Sequence, residues 1–142
     1  MMNCTRIDHI GIAVPELAAA VKFYEENLGI KAHGYETVDE QCVNVAFMPC
    51  GDSELELLES TTPDGPIARY LEKNGGRAGI QHVAIRVDNI DEALAELEAK
   101  GIPMIDHAPR YGAGNARIVF VHPKATGGVL LELCQKMAPE EK

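Results

Sequence analysis

The residues with the clearest capacity for chemistry are two histidines and two glutamates that occur in duplicate. His9 and His82 lie 73 residues apart at the same place in two similar phrases, IDHIGIAV and IQHVAIRV. Glu56 and Glu132 are each the centre of a Leu-Glu-Leu triplet, later in the same half of the chain. Such an internal repeat predicts two similar structural modules. We therefore expect two His/Glu pairs that bind one metal ion between them.

The chemistry of the four side chains indicates which ions would bind. Two neutral imidazoles and two carboxylates form a thiolate-free set that suits Co²⁺, Ni²⁺, Zn²⁺, Mn²⁺ or Fe²⁺. Four protein ligands on an octahedral ion would leave two positions for water or a chelating substrate. Either histidine alone would be explained more simply as a hydrogen-bonded structural residue. The duplication of both residue types makes the metal site the better hypothesis.

Alternation along the strands decides where these side chains point, because residues two apart share a face. His9, Glu56, His82 and Glu132 are predicted to lie on the face that their module's helix does not cover. The opposite, apolar face is formed by Ile10, Ile12 and Val14, by Val83, Ile85 and Val87, and by Val129, Leu131 and Leu133. Small residues beside the histidines (Gly11, Ala13 and Ala84) would leave room for a ligand.

The elements that must position the four residues have the same order in both halves. The predicted strands of the first half are 5–14, 31–38, 42–49 and 53–59, with a helix from Leu17 to a stop at Gly29 and another through about Lys73. The second half repeats strand 80–87, helix 90–100, and strands near 102–106, 115–121 and 128–134. We predict an α+β fold: two tandem βαβββ modules, about 5–75 and 79–135, whose curved mixed sheets form the cleft of a single domain over residues 1–142.

Bulk composition excludes several kinds of partner. The net charge is −9 and the pI is near 4.9, which argues against nucleic acids and anionic membranes. A small anionic ligand is still compatible, because a metal and local cations dominate within about 8–10 Å. No apolar run approaches the roughly 20 residues needed to span a bilayer. The N-terminal residues lack a signal-peptide core, and Cys4, Cys42, Cys50 and Cys134 show no C-x-x-C pairing. We therefore expect reduced thiols and a cytoplasmic protein, or a mitochondrial matrix protein if a eukaryotic transit peptide was removed.

Other polar residues have simpler interpretations. His33 and His107 are expected at the surface, and His122 is either part of a hairpin connection or a residue at the mouth of the cleft. Arg117 and Lys124 are candidate phosphate or carboxylate partners, with solvation as the simpler explanation. The segment 112–114 is too short for a dinucleotide fingerprint.

Longer stretches resemble the vicinal oxygen chelate superfamily and, within it, the methylmalonyl-CoA epimerase family. The resemblance runs from Ile7 to Cys134 and is most specific in four segments: Gly51–Glu59, Pro66–Ala68, Gly79–Ala84 and His122–Leu133. It implies a glyoxalase-like fold, a divalent metal with Co²⁺ favoured, an acyl-CoA substrate of propionate metabolism and a homodimer. The ligands that it implies are His9, Glu56, His82 and Glu132, with Glu132 also the catalytic base.

The implied activity is an isomerase reaction that interconverts (2R)- and (2S)-methylmalonyl-CoA through a metal-stabilised enolate. Inversion needs proton exchange on both faces of a planar intermediate, hence two acid/base groups or one mobile group. In some relatives a glutamate follows a Glu-Gln-Gly-Val phrase, whereas here Val45, or Asn44 with a one-residue shift, takes that place. Neither can act as a base, so Glu40 and a metal-bound water are the candidates for the second group.

Two alternatives use the same fold. A glyoxalase I-type isomerase (lactoylglutathione lyase) would use the same ligand set, although the segment from His122 to Gly128 does not resemble that family. A non-catalytic protein that sequesters a small molecule would use the same cleft. Such proteins typically lack a complete ligand set, so the presence of all four residues counts against it.

Overall fold

The computed structural model describes residues 1–138, and within them the chain forms eight β-strands and three α-helices. In chain order they are β1 (Cys4–Ala13), α1 (Leu17–Leu28), β2 (Gly34–Val38), β3 (Val43–Cys50), β4 (Ser53–Ser60), α2 (Pro66–Lys73), β5 (Gly79–Val87), α3 (Ile90–Ala99), β6 (Arg110–Gly112), β7 (Ala116–Val121) and β8 (Leu131–Lys136). Single 3₁₀ turns lie at Asp39–Gln41 and Pro123–Ala125. The predicted α+β class and the repeated βαβββ order are confirmed.

The described part of the chain divides into two compact units, residues 9–81 and residues 1–8 with the described residues from His82 onward. In the first unit the strand order is β2-β3-β4-β1, and β1 runs parallel to β4 while the other neighbours are antiparallel. In the second unit the order is β5-β8-β7-β6, with β5 parallel to β8. Gly11 lies opposite Glu56 and Ala84 opposite Glu132. The repeat in sequence is thus also a repeat in strand register.

Each unit buries one face of its strands under a helix. In the first unit the core contains Val14, Leu17, Val21, Ala46, Met48 and Leu57. In the second unit it contains Val87, Ile90, Ala93, Leu94, Met104, Val119, Val121 and Leu133. Full burial of one large apolar side chain stabilises a fold by about 1.5–3 kcal/mol. The faces predicted from strand alternation are therefore the ones that the helices cover.

The helix boundaries follow local signals. Gly29 ends α1 in the left-handed region at φ 69°, a conformation that costs glycine little. Asn89 caps α3, because its side chain accepts a hydrogen bond from the backbone N–H of Glu92. Among the described residues, no helix is long and apolar enough to cross a bilayer.

The strand predicted at 102–106 is wrong. Met104 makes only an isolated bridge with Val121, and the edge strand of this unit is Arg110–Gly112. Pro103 has no N–H to donate to a ladder. At Gly112, a Cβ would lie 2.5 Å from Ile118 Cγ2, so glycine is what allows β6 to approach β7.

The last strand begins later than predicted. Two consecutive glycines, Gly127 and Gly128, have φ values of 74° and 115°, and β8 begins only at Leu131. Val129 was predicted on the apolar face, but it precedes the strand and is 50% exposed. The turn therefore removes this residue from the core.

Candidate functional site

The first His/Glu pair lies on neighbouring parallel strands of its unit. His9 and Gly11 share a face of β1, and Gly11 is opposite Glu56 on β4, so both functional side chains point to the same side. His9 Nδ1 is 3.2 Å from Glu56 Oε2. The residues are 4% and 3% exposed. Burial of two polar groups this deep in the protein is costly unless hydrogen bonds or an opposite charge compensate it.

The second pair repeats this arrangement. His82 and Ala84 share a face of β5, and Ala84 is opposite Glu132 on β8. His82 Nε2 is 3.4 Å from Glu132 Oε1, and these residues are 6% and 4% exposed. Both pairs lie on the face of their strands that the helix leaves uncovered, as the sequence predicts.

The donor atoms fit a divalent ion. Two ligand atoms bound to one ion at about 2.0–2.2 Å lie about 2.8–3.6 Å apart for octahedral or tetrahedral angles. The His/Glu separations of 3.2 and 3.4 Å fall within that range. Two imidazoles and two carboxylates, with no thiolate, are ligands for a borderline or hard cation. Within each unit, the imidazole and the carboxylate are therefore spaced to share one ion.

Two phenylalanines accompany the glutamates, and the sequence analysis missed them. Phe47 is opposite Glu56 and Phe120 is opposite Glu132, so each ring shares the face of its glutamate. Phe120 is also edge-on to the His82 ring, with centroids 5.5 Å apart. Apolar walls of this kind exclude water and strengthen the electrostatic interactions beside them. The signal was available, since the two phenylalanines have the same 73-residue spacing as the histidines.

A buried ion pair in the second unit was also missed. The Asp8 side chain is 1% exposed, and its Oδ2 accepts a hydrogen bond from Arg86 Nε at 2.9 Å and lies 2.8 Å from Arg86 Nη2. Lys136 Nζ is 3.9 Å from the other Asp8 oxygen. Burial, followed by the negative charges of Asp8 and Glu132, raises the pKa of the Cys134 thiol well above its usual range. This thiol is therefore protonated at neutral pH.

The remaining histidines have the plain roles expected for surface residues. His33 is exposed, and the exposed His107 ring contacts Glu98 at 3.0 Å. His122 caps the 3₁₀ turn that follows it, since its Nδ1 accepts a hydrogen bond from the backbone N–H of Lys124. This contact agrees with the interpretation of His122 as part of a hairpin connection. None of the four cysteines is in a disulfide.

Comparisons with known proteins show what the chain is similar to. Residues 8–120 match the family described as the Glyoxalase/Bleomycin resistance protein/Dioxygenase superfamily. The uncharacterized protein YqjC of Bacillus subtilis (strain 168) is 45% identical over 130 residues, which are 92% of this chain and 91% of that protein. The mitochondrial methylmalonyl-CoA epimerase of Homo sapiens is 39% identical over 133 residues, 94% of this chain and 75% of that one. A methylmalonyl-CoA epimerase solved in complex with methylmalonyl-CoA and NH4+ has a TM-score of 0.89 at 38% identity, covering 96% of this chain and 97% of that one.

Proposed function

Because the chain belongs to the Glyoxalase/Bleomycin resistance protein/Dioxygenase superfamily, and is an epimerase like its methylmalonyl-CoA epimerase relatives, we propose that it interconverts (2R)- and (2S)-methylmalonyl-CoA. The observation that carries this proposal is the buried His/Glu pair repeated in both units. The epimerase solved with methylmalonyl-CoA has the same fold over nearly the whole chain. A small-molecule acyl-CoA is therefore the substrate class that we assign.

We assign His9, Glu56, His82 and Glu132 as the ligands of one divalent ion. The support is the equivalent register of the two pairs, their burial and their His/Glu separations. Such an ion, when bound, supplies a Lewis acid for the oxygens of the substrate. Co²⁺ is our first candidate, and Ni²⁺, Zn²⁺ and Mn²⁺ also suit the donor set.

Glu132 is the residue that we assign to accept the α proton on one face of the substrate. Exclusion of bulk water from around a carboxylate base strengthens its electrostatic interactions with the substrate. Glu132 is 4% exposed. The small and apolar residues on its side of the strands form a buried cluster that consists of Ala84, Ala116, Ile118 and Cys134. This cluster excludes water around the carboxylate.

The second face of the substrate needs another acid/base group, and we assign it to Glu36. Val45 is 1% exposed and has no titratable atom. Glu36 on β2 is opposite Val45, and Val45 is opposite Leu58, two residues from Glu56. Glu36 is half-buried and shares the face of the first His/Glu pair. Glu40, the earlier candidate, is exposed in a 3₁₀ turn and is less well placed.

Deuterium exchange tests the proposed reaction. The metal-loaded protein, incubated with methylmalonyl-CoA in D₂O, should catalyse loss of the α-proton signal in the NMR spectrum. For the epimer whose α proton faces Glu132, Glu132→Gln should reduce the exchange rate by at least about 100-fold, because proton transfer by a positioned group contributes about 10²–10⁴-fold. Glu98→Gln, a change at an exposed carboxylate that pairs with His107, is the matched control and should leave the rate unchanged. Absence of exchange by the wild-type protein with its ion bound would refute the proposed function.

A further inference from the structure

Arg110, the first residue of the edge strand β6, lies on the same face of its unit as the second His/Glu pair. Arg110 is opposite Ile118, and Ile118 is opposite Cys134. Cys134 is two residues from Glu132 on β8, so these side chains share a face. Glu36 has the equivalent position in the first unit, where it is opposite Val45. The repeat thus places an acidic side chain on one edge strand and a basic side chain on the other.

Contacts fix the Arg110 side chain at two points. Its guanidinium carbon is 5.6 Å from the centroid of the Phe120 ring, a cation–π distance. Its Nε donates a hydrogen bond to Asp106 Oδ1 at 2.9 Å. Asp106 is itself held by the backbone, because its other oxygen accepts from the Phe120 N–H at 2.7 Å. Since the Phe120 ring also contacts His82 at 5.5 Å, a single aromatic ring separates the guanidinium from the imidazole.

The outer edge of the guanidinium is available for a ligand. Within residues 1–138, Nε is the only Arg110 nitrogen that donates a hydrogen bond, and the side chain is 37% exposed. The two terminal nitrogens of an arginine match the two oxygens of a carboxylate. A guanidinium that is held by its Nε and rests on an aromatic ring has already lost much of its rotamer freedom. Binding through the terminal nitrogens therefore costs little additional ordering.

We propose that Arg110 binds the free carboxylate of the acyl-CoA substrate and thereby selects malonyl-type thioesters over uncharged ones. This inference rests on the proposed function, because it assigns a specificity residue to the same reaction. The phosphates of coenzyme A offer similar anionic oxygens, so the test must separate the two sources. Arginine can form charge-assisted hydrogen bonds with either group.

Arg117 provides a matched control on the neighbouring strand. It lies on the opposite face of β7 from Ile118, and its terminal nitrogens donate to both oxygens of Asp91 at 2.7 and 3.1 Å. Its side chain is 38% exposed, almost the same as that of Arg110. Charge and exposure are thus matched, while the terminal nitrogens are already occupied.

The experiment compares three thioesters in the α-proton exchange assay with the metal-loaded protein. Methylmalonyl-CoA carries the carboxylate and the phosphates, methylmalonyl-pantetheine lacks the nucleotide phosphates, and 2-methylacetoacetyl-CoA lacks the carboxylate. Arg110→Met should lower kcat/KM about 10- to 100-fold for both methylmalonyl thioesters, the size expected for lost hydrogen bonds between charged groups. It should change the neutral substrate less than about 3-fold, and Arg110→Lys should recover part of the loss. Arg117→Met should change all three less than about 3-fold.

Other outcomes would overturn the assignment in distinguishable ways. Equal losses on all three substrates would mean a structural role for Arg110, and losses confined to the two coenzyme A esters would mean that it binds phosphate. Calorimetric binding of malonyl-CoA and acetyl-CoA does not depend on turnover. The wild-type protein could catalyse no exchange but bind malonyl-CoA more tightly than acetyl-CoA. If Arg110→Met then removes that preference, the proposed function fails while the carboxylate site stands. If Arg110→Met keeps the preference, the carboxylate site fails.

Discussion

Removal of one histidine should remove most of the stabilisation that a divalent ion gives to the folded protein. An ion that binds only the folded state at 100 times its Kd stabilises that state by about 2.7 kcal/mol. Unfolding entropy is about 2.1 cal/mol/K per residue, or about 0.3 kcal/mol/K for 142 residues. Saturating Co²⁺ should therefore raise the Tm of the apo protein by about 9 °C.

His82→Ala removes an imidazole that is 6% exposed and 3.4 Å from the Glu132 carboxylate. Loss of a residue that only hydrogen-bonds to a metal ligand weakens metal affinity about 10- to 100-fold. Loss of a ligand itself should therefore weaken metal affinity at least about 100-fold. At the same ion concentration the stabilisation falls to about 0.4 kcal/mol and the Tm shift to about 1 °C. His9→Ala should have the same effect, because the two pairs are assigned to one ion. His107→Ala, which removes an exposed imidazole, is the control and should keep the full shift.

Differential scanning calorimetry of apo and Co²⁺-loaded protein measures these shifts directly. A shift that survives in either His9→Ala or His82→Ala would mean that the units bind ions independently, and the shared site would be wrong. A shift lost in His107→Ala would indicate surface binding. The absence of any saturable shift in the wild-type protein would refute the metal assignment altogether.

Three further predictions concern single residues. Glu36→Gln should abolish inversion, while exchange of the α proton persists for one epimer. NMR of each epimer in D₂O measures both. The same behaviour in the control Glu40→Gln would contradict the role of Glu36. The Cys134 thiol should react with a disulfide reagent at neutral pH only after unfolding, because burial raises the pKa of Cys134. The exposed Cys50 thiol should react in the folded protein. Fast labelling of Cys134 in the native protein would show that this prediction is wrong. The hydrogen bond from its arginine partner lowers the pKa of Asp91 below 3.8, so the stability that it adds is present above that pH and is lost as pH falls below it. Urea unfolding should therefore show a larger difference between wild-type protein and Asp91→Asn at pH 6 than at pH 2, and an equal difference would contradict the linkage.

Local patterns were enough to predict the four candidate ligands and the faces on which they lie. Alternation with a period of two places His9, His82 and Glu132 opposite the apolar residues that the helices cover, and the backbone geometry of a strand makes that assignment independent of the rest of the fold. The stop of α1 at Gly29 is local for the same reason, because glycine takes the left-handed conformation at low cost wherever it occurs. A single copy of the phrase would not relate a histidine to a glutamate. Because both residues occur at equivalent places in the two halves of the chain, the sequence indicates that they form pairs.

The neighbours of those residues depended on tertiary structure. The register that places Phe120 opposite Glu132 and Arg110 opposite Ile118 is formed by hydrogen bonds between strands, and no pattern within one strand encodes it. The position of the edge strand, at 110–112 rather than at 102–106, is likewise decided by which segment pairs with β7. Asp8 shows no local signal at all, since its partner Arg86 is 78 residues away in the sequence. A side chain's face is a property of its own strand, whereas its partners are decided by which strands pair and in what register.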